Sequence, residues 1–89
     1  MLTVTDAAAA RLAEFLDAEN CPQEIAIRFV VDGQALAMRP DRERPGDTTY
    51  AHQGRTVLLL DREMAELLAN ETLDMDGEKL VLRGESESP

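Results

Sequence analysis

From Thr5 onward the apolar positions recur with a helical period. Ala8, Leu12, Phe15 and Leu16 fall at i, i+4, i+7 and i+8 and make one stripe, while Arg11, Glu14 and Asp17 point elsewhere. Thr5 suits an N-cap, and Asp6 in the first turn complements the helix dipole. Pro22 disfavours helical backbone at Cys21, so Asn20-Cys21-Pro22 ends the segment. The spacing predicts a helix over residues 6–19.

The period then changes to two. Ile25, Ile27, Phe29 and Val31 alternate onto one face, with Arg28 on the other. Asp32-Gly33 suits a type I′ turn, in which both central residues take positive φ. Residues 34–39 are expected to return as the partner strand, with Leu36 and Met38 on one face. Residues 40–47 carry two prolines and a glycine and read as a polar loop. Between 39 and 47, Arg39, Arg42 and Arg44 are balanced by Asp41, Glu43 and Asp47, which predicts a locally neutral, solvated segment. Strands over 48–52 and 55–60 flank a Gln53-Gly54 turn, and the second is expected to be buried on both sides at its apolar end.

Asp61 is a second N-cap, opening a short helix with Met64, Leu67 and Leu68 inward and an Arg62–Glu66 pair outward; Asn70 is its expected stop. Residues 72–76 and 79–83 frame Asp76-Gly77-Glu78 as a final hairpin. The order is helix, four strands, helix, two strands: an α+β domain over residues 1–83. Residues 84–89 have nothing apolar to bury and are expected to form a disordered acidic tail.

Charge and cysteine usage narrow the functional classes. Eighteen acidic residues against nine basic ones give a net charge of −9, which repels phosphate backbones and anionic membranes. Aromatic residues are 3% of the chain, too few for base stacking, so neither nucleic acid nor membrane is an expected partner. The opening residues do not read as a signal peptide, and the longest apolar run, residues 57–60, is far short of a membrane span; a cytoplasmic location is expected. Cys21 is the single cysteine, so no intrachain disulfide and no multi-cysteine zinc site can form.

Chemistry-bearing patterns are sparse. Cys21 and His52 are the one classical nucleophile–base pair, but Cys21 follows a helix C-terminus, whose dipole disfavours a thiolate. Cys21 reads as a structural thiol and His52 as a solvated turn histidine. Asp74-Met75-Asp76-Gly77 resembles the middle of a calcium loop, yet that register puts Thr72 at the first ligand position and Arg83 at the twelfth, where acids are required. No phosphate-cradling glycine motif is present. No catalytic residues are assigned.

The opening 2–12, Leu-Thr-Val-Thr-Asp-Ala-Ala-Ala-Ala-Arg-Leu, resembles the first strand and helix of HesB/IscA-like proteins, the A-type iron–sulfur carriers. Pro45-Gly46-Asp47, Gly54 through Leu60-Asp61, and Glu71-Thr72-Leu73-Asp74-Met75 agree with that family in order and spacing, so the likeness extends over residues 2–83. It implies a compact β-rich α+β domain with mixed sheets. It also implies three cluster-binding cysteines: one in the connection after the strand matching 25–31, and two in a C-terminal Cys-Gly-Cys. Here the connection is Asp32-Gly33-Gln34, and the tail places Ser86 and Ser88 at the paired spacing. A hydroxyl is a hard, weakly acidic ligand that cannot stand in for a soft thiolate at iron. Cys21 matches none of the three positions.

The chain therefore resembles a degenerate family member. The expected function is a non-enzymatic accessory or protein-interaction role related to iron–sulfur cluster assembly, with no cofactor and with a protein partner or self-association. The alternative is an iron or iron–sulfur carrier using Cys21 across a dimer, with His52 assisting. A small enzyme of undefined type is the second alternative.

Overall fold

A computed structural model describes residues 1–84. The elements run β1 (Thr3–Val4), α1 (Asp6–Ala18), β2 (Ile25–Asp32), β3 (Ala35–Arg42), β4 (Thr48–His52), β5 (Arg55–Leu60), α2 (Arg62–Leu67), β6 (Glu71–Asp76) and β7 (Lys79–Gly84). They form a three-stranded sheet, β1-β6-β7, and a four-stranded sheet, β3-β2-β5-β4. Both are mixed: β1 runs parallel to β6, and β2 parallel to β5. The α+β class and the mixed sheets are as expected.

Local chemistry sets the element ends. Thr5 caps α1, its hydroxyl accepting from the Ala8 N–H at 3.1 Å while donating to Asp74 Oδ1 at 3.1 Å. At the other end Asn20 takes the left-handed conformation (φ 54°), the Cys21 N–H reaches Leu16 O at 2.9 Å and the Asn20 N–H reaches Asp17 O at 3.0 Å. That is a Schellman closure, so the helix ends at Ala18 through Asn20 rather than through Pro22 alone. Asp61 caps α2 by accepting from the Met64 N–H at 2.8 Å.

Gln53 and Gly54 both have positive φ (52° and 80°), as a type I′ hairpin requires. The β2–β3 turn differs from expectation. Its central residues are Gly33 and Gln34, and of the two only Gly33 has positive φ (66°), which is a type II′ turn.

The core lies where α1 and α2 pack with the inner faces of the sheets. Leu2, Leu12, Leu16, Phe29, Leu58, Leu60 and Leu73 fill it. Val57 to Leu60 are completely buried, as their sequence predicts. The β4–β5 register skips Val57 between Tyr50↔Leu58 and Ala51↔Thr56, a bulge that lets Val57 join the core beside Leu58. Tyr50 ties the two sheets together, its hydroxyl donating to Leu2 O at 2.7 Å.

Several expectations are corrected. The periodicity misses β1, which is too short to show a period and is held by pairing with β6. β3 continues through Pro40 to Arg42 rather than giving way to a loop. Leu67 is 65% exposed, because the brief α2 turns only Met64 and Leu68 into the core. Phe15 is half-buried and lies under the Arg11 guanidinium, 4.7 Å from the ring centroid. Arg62 and Glu66 form no ion pair among the described residues. Gly84 completes β7, and the rest of the expected tail, with Ser86 and Ser88, lies outside the described residues.

Candidate functional site

Cys21 lies in the connection between α1 and β2, and His52 ends β4. Cys21 follows the Schellman closure and packs against the core as the small apolar residue of that motif, beside Leu16. With Phe15, Leu16, Ile27, Met38 and Pro40 it lines a groove of about 450 Å³ between the end of α1 and strands β2 and β3. His52 lies at the end of β4, the opposite edge strand, with β5 and β2 intervening before β3. No hydrogen bond joins Cys21 to His52 among the described residues; the contact made at Cys21 is from Arg55 to its backbone oxygen.

Arg55, opposite His52 in the β4–β5 register, contacts the end of α1 instead. Its guanidinium donates to Cys21 O at 3.1 Å, to Pro22 O at 3.2 Å and to Asp17 Oδ1 at 3.1 Å. A cation against the carbonyl end of a helix is electrostatically favourable. Arg55 thus closes α1 and uses the Cys21 backbone, leaving the thiol in the groove.

The polar cluster that sequence reasoning missed is on the outer face of the same sheet. Arg28 is 4% exposed. Its Nε donates to Asp41 Oδ2 at 2.8 Å, its Nη1 and Nη2 to Asp47 at 3.0 and 2.6 Å, and Nη2 also to Arg42 O at 3.0 Å. Both carboxylates accept further bonds: Asp41 from the Arg42 N–H at 2.7 Å, and Asp47 from the Arg44 N–H at 2.7 Å. Hydrogen bonding from Arg28 holds the Asp47 carboxyl below its usual range. The Arg42 N–H, then Arg28, does the same for Asp41. The Arg28 guanidinium is in turn held more firmly in its charged form by Asp47 and Asp41.

The segment expected to be solvated stays exposed over residues 42–46, but Asp41 and Asp47 clasp its two ends to the sheet. The signal available in the sequence is the lone charge in the otherwise apolar run 25–31, which needs partners if buried. Every nitrogen of the Arg28 guanidinium is paired in this clasp.

Among the described residues no group of three His, Cys, Asp or Glu side chains is placed to hold a metal ion. The β2–β3 connection, where the family resemblance implies a cysteine, is the two-residue Gly33-Gln34 turn. Glu19 and Arg39 complete the lining of the groove, and Cys21 is its one thiol, whereas iron–sulfur clusters are held by several thiolates.

No family model matches the chain, and no curated protein matches its sequence. Among solved structures it is similar to the crystal structure of Escherichia coli SufA, a protein involved in biosynthesis of iron–sulfur clusters. The TM-score is 0.60 at 18% identity, over 92% of this chain and 81% of that one. At that identity the likeness establishes the fold. The chain has a SufA-like architecture, in line with the HesB/IscA-like resemblance of its sequence. No helix among the described residues is long and apolar enough to cross a membrane.

Proposed function

We propose that this chain is a non-enzymatic accessory protein of iron–sulfur cluster assembly that keeps the carrier architecture, holds no cluster, and acts through protein contact. The observation that carries the reading is donor supply on a SufA-like frame: the one thiol, Cys21, is engaged in the helix-end packing, and the sequence offers no second. Iron–sulfur clusters are held by several thiolates. One thiol per chain gives at most two in a dimer.

A contact role is supported by apolar surface that the fold leaves open. Val31, Leu36 and Met38 are 56%, 39% and 46% exposed at the β2–β3 end of the sheet. Apolar residues clustered in this way mark interaction surfaces.

Anaerobic incubation with ferrous iron and sulfide, followed by desalting and visible spectroscopy, tests the proposal. The expected product is colourless, for the wild type and for Cys21→Ser alike. A stoichiometric charge-transfer band that disappears in Cys21→Ser would instead establish a carrier using Cys21 across a dimer.

A further inference from the structure

β3 is an eight-residue edge strand whose outer backbone is unpaired among the described residues. Natural edges are usually guarded by charge, a bulge or shortness. Over Ala35-Leu36-Ala37-Met38 this edge has none of these.

The turn fixes which backbone groups are free. In a two-residue hairpin the closing pair, here Asp32↔Ala35, exchanges hydrogen bonds, and every second pair after it does the same. Ala35, Ala37, Arg39 and Asp41 therefore bond to β2, while Leu36, Met38, Pro40 and Arg42 direct their backbone outward. Pro40 falls on an outward position, which is why the strand tolerates it. The N–H donors at the uncharged part of the edge are those of Leu36 and Met38. Their side chains share the face of Phe29, where both remain partly exposed beside a second small groove lined by Phe29, Leu73, Leu80 and Leu82.

We propose that the β3 edge is a homodimer interface: a second copy adds its own β3 antiparallel about a two-fold axis at Ala37, joining two four-stranded sheets into one of eight. That register sets Leu36 opposite the partner's Met38, twice, so both free donors of each copy meet a carbonyl. A shift of two residues either way brings in the turn residue Gln34 or the donor-less Pro40.

Charge selects the same register. Arg39 faces the partner's Ala35 rather than another arginine, and beyond that small side chain lies the partner's Asp32. Two strand spacings are roughly 10 Å, which an arginine and an aspartate span together. Arg39 and Asp32 have no ion-pair partner of their own among the described residues. The contact is small, and two chains of charge −9 repel, so the dimer is weak and concentration-dependent. This inference does not depend on whether the chain binds a cluster.

Sedimentation velocity from micromolar to millimolar protein tests it with a charge-swap pair. Leu36→Lys alone and Met38→Glu alone each weaken self-association about tenfold or more. Mixed, the two variants form a heterodimer. The lysine introduced in one copy then faces the glutamate introduced in the other, while the unchanged Met38 and Leu36 still meet at the second contact. In the wild type, amide exchange at Leu36 and Met38 slows with concentration, whereas Ala37 and Arg39 are protected throughout. A monomer at all concentrations, unchanged exchange at Leu36 and Met38, or variants whose mixture fails to pair would overturn the proposal.

Discussion

Arg28 shows what a single buried charge demands of its surroundings. Its guanidinium uses every side-chain nitrogen against Asp41, Asp47 and Arg42 O. Removing it leaves the almost fully buried Asp47 without its cation and leaves Asp41 with Arg44 alone. Arg28→Met should lose about 3–5 kcal/mol of stability at neutral pH, read by urea denaturation. The pH dependence has a definite sign. Asp41 and Asp47 are held below their unfolded values, so their contribution is complete above the unfolded carboxylate range, about pH 4, and is lost as pH falls through the folded values. Wild-type stability should drop in strong acid. The deficit of Arg28→Met should shrink there, because the carboxyls that have lost Arg28 protonate; a deficit independent of pH would contradict the clasp.

The same residue marks a limit of sequence reasoning. Alternation places Arg28 opposite Ile27 and Phe29 correctly, but alternation cannot say whether the opposite face is wet. Burial follows from Asp47, nineteen positions away, folding back over the sheet. The structural reading of Cys21 gains a cause from its place just after the helix closure.

At the scale of elements, legibility tracks how local the determining interaction is. The bounds of β4 and β5 are readable because the Gln53-Gly54 turn fixes both, and those of α2 nearly so because Asp61 announces its start. β3 runs past its expected end because Pro40 reads as a breaker; only the turn's hydrogen-bond parity shows that its missing N–H is harmless. β1 is invisible to periodicity because two residues have none, and it exists through β6.

The α1 terminus offers a direct test of local control. Thr5 both caps the helix and reaches across to β6 through Asp74. Thr5→Ala should cost about 1 kcal/mol, and Thr5→Ser should recover most of it, measured by thermal or urea unfolding. Equal stability of Thr5→Ala and wild type would show that the cap is dispensable.

The whole molecule joins a SufA-like architecture to a single thiol. Two mixed sheets and two helices reproduce the SufA-like frame at 18% identity, because such a frame is specified by apolar patterning and turn chemistry. Cluster binding asks for particular atoms at particular places, and here the β2–β3 connection is only a tight turn. The surfaces proposed for contact are the apolar β2–β3 end and the edge of β3. A protein that works there would be sensitive to Leu36 and Met38 and indifferent to Cys21.

Native mass spectrometry after anaerobic iron and sulfide treatment tests that account most directly, because it weighs chain and cargo together. The predicted spectrum holds only masses of the bare chain and its multiples, identical in pattern for wild type and Cys21→Ser. A species heavier by a discrete iron–sulfide core, present in the wild type and absent from the variant, would contradict it.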